Sequence, residues 1–423
     1  MADAPGRFSS LRHADFRLFL AGHFVSRAGS QFQIFALSWH LWLLTRSPLA
    51  LGLIGACRVV PVILLAIGAG VAADAFDRRR LMLTTQVVLG LTSAAMAWLT
   101  WSGRASSAAL LALVAVAGAA TAFDNPARQT LVVSLVPRED LPNGLSLNVM
   151  TWQLATVIGP ALAGLLLAHT SLTFLYAVDA VSFFVMVGAL LRVRPRATQS
   201  EGVRPSVRAA VEGMRYLRGQ PVLMSMMALD FLATFFAGAL LLLPVYADQI
   251  LRVGEKGLGL MMAAPSVGSL LASVWLAWRP AIRRQGAVML GAIVVYGGAV
   301  AAFGSCPWFP LSLALLAVSG AADTVSTVVR VIARNLMTPD ELRGRMSSLT
   351  MIFFMGGPQL GELEAGVVAQ LTSVPFSVSG GGVACILCAV ATALLVPALR
   401  RHRLEGAGAP AAAAAVPAVD APA

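Results

Sequence analysis

The sequence predicts an all-α membrane protein, with twelve transmembrane helices in two pseudo-symmetric six-helix halves. Three observations predict it. Of the 423 residues, 58% are hydrophobic and 12% charged, and the mean hydropathy is +0.78. A soluble chain could not cover that surface with polar groups, whereas a helical bundle in lipid pairs its backbone polar groups internally. The apolar residues also fall into stretches of about 20 or more, the length a bilayer requires. Finally, the basic residues gather in alternate connections between those stretches.

In chain order the spans cover residues 17–44, 49–73, 81–101, 106–125, 146–168, 171–191, 221–247, 258–278, 286–304, 309–329, 347–371 and 375–398. Residues 1–16 form a polar N-terminal segment, and the first apolar span is too long for the core of a cleavable signal peptide. The first six spans make an N-terminal half, 17–191, and the last six a C-terminal half, 221–398. Between them, 192–220 carries seven arginines. Within it Val207, Val211, Met214 and Leu217 oppose Arg208, Glu212, Arg215 and Arg218, as in an amphipathic helix lying on a membrane surface. The tail, 399–423, opens on Arg400, Arg401, His402 and Arg403, turns Ala/Pro-rich and reads as disordered.

Charge sets the orientation. With both termini in the cytoplasm, 25 of the 31 basic residues lie on that side. Four (Arg46, Arg104, Arg252 and Lys256) lie opposite, and Arg27 and Arg58 lie inside spans. Basic loops resist translocation, so both ends are expected inside. The net charge of +11 would suggest nucleic acid in a soluble domain. Confined to short loops it reads as topology, which argues against a nucleic-acid partner.

Cys385 and Cys388 have metal-site spacing, yet they lie in an apolar span without histidine or acidic neighbours and read as packing residues. No G-x-x-x-x-G-K-[S/T], H-E-x-x-H or G-x-S-x-G occurs, so no enzyme activity, cofactor or metal is expected.

The halves repeat. Arg128, Pro137, Glu139 and Ser146 recur 202 residues later as Arg330, Pro339, Glu341 and Ser348. Asp124 recurs as Asp323 after 199, and Gly159-Pro160 as Gly357-Pro358 after 198. With six spans per half, such repeats are parallel and related by an axis along the membrane normal.

Charges inside spans cost about 2.5–3.5 kcal/mol each, so they face a cavity or a partner. Arg27, Asp230 and Asp323 are of this kind. Arg27 and Asp230 are 203 residues apart, close to the repeat offset, and are expected to pair across the axis. Asp179 reads as a packing partner for a neighbouring polar group. Arg58 is left open, and His23 reads as titratable or locally bonded. In span eleven Glu362 lies near the midplane beside Pro358. Glu364, two residues on, is about 200° round the helix. One of the two is expected to line a path and the other to be held between helices; both could also be packing acids.

The charged hairpin after span two, Gly70-Val71-Ala72-Ala73-Asp74-Ala75-Phe76-Asp77-Arg78-Arg79, resembles the G-x-x-x-D-x-x-G-R-[R/K] signature of the major facilitator superfamily, with Asp77 where the signature has glycine. Phe123–Gln129, Glu212–Leu217 and Gly361–Gly366 resemble its branch of enterobactin exporters and macrolide efflux proteins. Gly159-Pro160-Ala161-Leu162-Ala163-Gly164 is similar to an antiporter element of span five, with Ala163 replacing a glycine. Proline and small residues there allow bending and close helix contact, so Gly159, Pro160, Gly164, Gly357 and Pro358 are hinge candidates, or ordinary kinked packing.

The resemblance implies the major facilitator fold, with spans one, four, seven and ten lining a central cavity. It implies a cytoplasmic gate of Gly70, Asp74, Arg78 and Arg79 with Arg128, expected on the loop after span four. It puts Arg27, Asp230 and Asp323 in cavity-lining spans; with Glu362 and Glu364, placed by their depth in span eleven, they make the expected substrate and proton pathway, with Glu362, nearer the midplane and the kink, as the proton site. The expected protein is a monomeric secondary transporter of the bacterial inner membrane, exporting a siderophore-like amphipathic molecule in exchange for protons. Macrolide or multidrug efflux is the alternative. A non-transporting sensor or scaffold of the same fold would not need those charges.

Overall fold

The computed structural model describes residues 9–137, 139–193, 214–279, 282–339 and 343–402. Among them run twelve long helical segments. The first half comprises α1 Ala14–Thr45, α2 Pro48–Ala75, α3 Arg78–Trp101, α4 Ser107–Leu135, α5 Leu141–Leu167 and α6 Leu172–Arg192. The second comprises α7 Pro221–Ile250, α8 Gly254–Ala277, α9 Gln285–Gly304, α10 Phe309–Met337, α11 Arg343–Leu371 and α12 Val374–Leu395. By length and composition alone, ten of these can cross a membrane. The other two, α1 and α11, carry Arg27 and the Glu362/Glu364 pair.

The helices begin where the sequence supplies caps. Ser47, Ser106, Ser171 and Ser373 each accept a backbone N–H from the first turn that follows, satisfying a donor that has no partner within its helix. Asp77 does the same for α3, accepting from Arg80 N at 2.8 Å. The residue that departs from the family signature therefore caps the next helix.

Two helices run further than hydropathy predicts. α4 continues to Leu135 and α10 to Met337, so Arg128 lies inside α4 and not on a loop. Arginine is a good helix former, and Asp124, one turn earlier, pairs with it. α7 is interrupted where a continuous span was expected. It is α-helical to Phe236, breaks at Ala237-Gly238, resumes as a 3₁₀ turn over Ala239–Leu242 and closes with a π-helical turn over Tyr246–Ile250. The Ala237 carbonyl freed by the break accepts from Tyr296 Oη at 3.3 Å.

Of the amphipathic helix expected over 207–218, the part to 213 lies outside the described residues. Residues 214–218 are helical, and Leu217 packs with Leu223 and Met227. Tyr216 Oη donates to Met337 O at 2.6 Å, and burial pushes its phenol above the ordinary value. This turn is thus docked on α7 and α10. The tail beyond 402 also lies outside the described residues.

Both halves pack alike. α1 lies on α5 and α6, α2 on α4, and α3 on α4 and α6; α7 lies on α11 and α12, α8 on α10, and α9 on α10 and α12. The N-terminal turn Ser9–Arg12 is held to the start of α5, where Ser10 Oγ donates to Asp140 O and His13 Nε2 meets Asp140 Oδ2, both at 2.8 Å. We call this the terminal end of the bundle and the opposite one the distal end.

The halves join along α2–α11 and α5–α8. Glycine faces glycine at each seam, Gly52 on Gly366 and Gly164 on Gly259, where an added Cβ would come within 3.0 Å of the opposing Cα. Gly164 and Gly366 are repeat mates, 202 apart. Hydrogen bonds between the halves gather at the distal end. Asp248 of the π-helical turn accepts from Trp42 Nε1 at 3.0 Å and pairs with Arg46, and Ser47 Oγ donates to Gln370 Oε1 at 3.0 Å.

A side chain at the glycine seams should force the halves apart. Gly164→Leu is expected to destabilise the closed distal contact by about 1–3 kcal/mol while leaving helix content unchanged. A thiol placed at Ser47 should then react faster with a water-soluble maleimide. An unaltered labelling rate in a normally helical variant would count against the seam.

Candidate functional site

Each half holds a cavity of about 230 Å³ lined in part by polar and charged side chains. In the first half Arg27 of α1, Arg58 of α2, Gln86 of α3 and Asp124 and Arg128 of α4 line it, and Gln359 of α11 reaches in from the other half. In the second, Asp323 of α10 and Glu362 of α11 are joined by Tyr296, Ser266, Ser269 and Thr234. A larger apolar groove of 450 Å³ between α1 and α6 is lined by Phe174, Val181 and Val185. It opens at the outer surface, carries no charged residue and is not part of the site.

The expected Arg27–Asp230 pair is replaced by two other contacts. Asp230 pairs with Arg330 of α10, and Arg27 lies over the Trp152 ring of α5, its guanidinium carbon 4.3 Å from the ring centre. Arg46 and Asp248, also 202 residues apart, do pair. The difference lies in where the halves bond to each other. Arg27 is 19 residues, about 28 Å of helix, from Arg46 and from the distal contact.

The first cavity neutralises its acid. Asp124 is fully buried, pairs with Arg128, and accepts from Thr85 Oγ1 and Gln86 Nε2, both at 2.8 Å. The second does not. Arg330, the repeat mate of Arg128, goes to Asp230, leaving Asp323 without an ion pair among the described residues. The cause is local spacing. Asp124 and Arg128 are four apart, hence neighbours on one face; Asp323 and Arg330 are seven apart, two turns along the helix.

Glu362 lies over Gly55 of α2, where an added Cβ would fall 2.7 Å from its Oε2. That oxygen is buried without a hydrogen-bond partner among the described residues. Arg58 is the cation with which Glu362 interacts, across the α2–α11 seam. Glu364 is half-buried and does not line the cavity. Asp179 is fully buried and accepts from Ser93 Oγ at 2.6 Å. His23 stacks on Phe19 with ring centres 5.8 Å apart and also faces the first cavity.

The signature residues fall at the terminal end. The backbone at Gly70 and Asp74 is helical, but their side-chain surroundings lie outside the described residues. Arg79 donates to Leu190 O at 2.6 Å and Leu191 O at 2.5 Å, placing a cation on the last carbonyls of α6. Among the hinge candidates, Gly159 abuts Gln31 of α1, and Pro160 and Gly164 lie on Gly259 of α8. Gly357 abuts Phe231 and Thr234 of α7, and Pro358 borders the acidic cavity beside the α7 break.

Sequence reasoning missed Arg330 and Asp248 as partners, and Trp152 as the platform for Arg27. The 202-residue offset between Arg46 and Asp248 could have revealed that pair. Nothing in the linear sequence marks Trp152.

The Asp230–Arg330 pair is nearly dry, its side chains 13% and 12% exposed. Removing one partner of such a pair typically costs about 3–5 kcal/mol. Asp230→Asn and Arg330→Gln should each destabilise by that order in denaturant unfolding in mixed micelles, with the double variant well short of the sum. Arg27→Gln should add to Asp230→Asn within about 0.5 kcal/mol. Coupling of Arg27 with Asp230 and none with Arg330 would reverse the assignment.

Comparison with known proteins agrees with this architecture. The enterobactin exporter EntS of Shigella boydii serotype 18 is 25% identical over 335 residues, covering 79% of this chain and 80% of that protein. EntS of Escherichia coli O139:H28 is 24% identical over the same lengths. Among solved structures, a bacterial homologue of the iron transporter ferroportin in an inward-facing state superposes with a TM-score of 0.70 at 18% identity, over 91% of this chain and 98% of that one. A bacterial homologue of the human lysosomal transporter Spinster, inward-facing and occupied, gives 0.70 at 13% identity, over 95% and 99%. The profile of the transmembrane secretion effector family matches residues 5–417, and the chain belongs to that family of major facilitator superfamily transporters.

Proposed function

We propose that this transporter exports a small amphipathic, siderophore-like molecule across a bacterial inner membrane by alternating access, in exchange for protons. We take it as a monomer with both termini cytoplasmic. The basic residues crowded at the terminal end support that orientation, and the relatives named enterobactin exporter support the substrate class.

Glu362 is the observation that carries the reading. Its carboxylate borders a cavity beside Pro358, has an oxygen without a hydrogen-bond partner among the described residues, and interacts with Arg58 of the other half. An ionised Glu362 attracts Arg58 across the α2–α11 seam; a protonated one does not. Proton occupancy therefore biases how the halves pack, and a ligand or proton that distinguishes two states shifts the balance between them.

At the distal end, Arg46, Trp42 and Asp248 act as the closure that must open on release. Arg46 is about half exposed, and exposed ion pairs contribute only about 0–1 kcal/mol, as suits a contact broken in every cycle. Gly70, Asp74, Arg78, Arg79 and Arg128 form the closure of the terminal end in the opposite state, with Gly159, Pro160, Gly164, Gly357 and Pro358 allowing the helices to adjust.

Glu362→Gln should abolish proton-driven efflux from reconstituted vesicles, and Glu364→Gln should chiefly lower stability. Efflux at the wild-type rate, still sensitive to an uncoupler, from Glu362→Gln would reject the proton assignment. Asp248→Asn should slow efflux several-fold, and adding Arg46→Gln should slow it no further. A second loss of equal size would show that the two residues act separately.

A further inference from the structure

The two cavities are similar in volume, about 230 Å³ each, and opposite in charge. In the first, Asp124 is matched by Arg128, which leaves Arg27 and Arg58 without a carboxylate from that cavity's described lining. In the second, the charged lining residues are Asp323 and Glu362, and Arg330, taken by Asp230, makes no ion pair with Asp323 among the described residues. Glu362 and Arg58 interact electrostatically across the α2–α11 seam. Gln359, one helical turn before Glu362, lines the first cavity, so the cavities flank a single stretch of α11.

Arg27 is the sharper of the two poles. Trp152 covers one face of its guanidinium, and no carboxylate pairs with it among the described residues. Its N–H edge therefore still has donors to offer the cavity. A guanidinium held flat against a ring, with its edge open, matches the two oxygens of a planar oxyanion. A cation in a bilayer-spanning bundle otherwise needs an acid. The opposite pole offers two carboxylates and several hydroxyls, which suit an ammonium or another strong donor.

We propose that the cargo is amphoteric, with an oxyanionic group seated on Arg27 beside Trp152 and a cationic or strongly donating group seated between Asp323 and Glu362. This deepens the export reading and rests on the same site. It also supplies a reason for exchange, because the cationic end of the cargo and a proton compete for the same carboxylates while the anionic end is held elsewhere. Trp152 adds a ring face for an aromatic cargo, and Arg27 acts as a specificity-determining residue.

The test uses the full-length protein in lipid nanodiscs with four probes: benzoate and its neutral analogue benzamide, and benzylamine and its neutral analogue benzyl alcohol. Binding is read by isothermal calorimetry and by the shift in thermal unfolding. Benzoate should bind at least about tenfold more tightly than benzamide, and benzylamine than benzyl alcohol, a difference of about 1.4 kcal/mol. Arg27→Gln should abolish the preference for benzoate and leave that for benzylamine. Arg27→Lys, which keeps the charge without the planar fork, should restore only part of it. Asp323→Asn should do the converse, and saturating benzoate should not displace benzylamine. Equal binding of charged and neutral probes, or a benzoate preference that survives Arg27→Gln, would overturn the proposal. Because binding is read without transport, charge-selective binding together with uncoupler-insensitive efflux would reject proton exchange and leave the amphoteric site standing.

Discussion

A charge inside a bundle that crosses a bilayer must meet a counter-charge, an aromatic face or a water-accessible cavity, and the interior of this protein is organised by how each charge meets that condition. Asp124 and Arg128 satisfy each other within one helix, helped by Thr85 and Gln86. Asp230 and Arg330 satisfy each other between two. Arg27 takes the face of Trp152, and Glu362 takes Arg58 at a distance across the seam. Asp323 is left to its cavity.

That distribution turns a near-symmetric scaffold into an asymmetric site. The helix pairings of the two halves correspond one to one, yet the three-residue difference between the offsets of Asp124/Asp323 and Arg128/Arg330 separates the second acid from its base. The first half closes its ion pair within α4, and the second borrows a partner from α7. One cavity is left net basic, through Arg27 and Arg58, and the other net acidic, through Asp323 and Glu362, within the same fold.

The seams between the halves follow a complementary rule. Without an apolar driving force between helices in lipid, close association depends on small residues that let backbones approach. Gly52, Gly164, Gly259 and Gly366 supply that approach at two places. The bonds added at the distal end, Arg46 and Trp42 to Asp248 and Ser47 to Gln370, are few and lie partly in the open. The joint between the halves is therefore close in shape but light in bonding, a combination suited to parts that separate and rejoin.

Helix number, order and the division into halves could be read from the chain alone, because a bilayer requires apolar runs of about one length and leaves a repeat visible as a fixed offset. The identity of the buried charges was equally legible, since each breaks an apolar run. Their partners were not. Whether Asp230 meets Arg27 or Arg330 depends on where the halves touch and on which face of α10 turns inward. Whether Arg27 finds an acid or a ring depends on α5, which is distant in sequence. The break in α7 was not read: Gly238 and Pro244 lie at it, but it depends on Tyr296 of α9 lying close enough to donate to the freed Ala237 carbonyl. Composition and period determine which segments enter the membrane. Contacts between segments far apart in the chain decide which charges are left facing a cavity, and those are set by packing that no local pattern encodes.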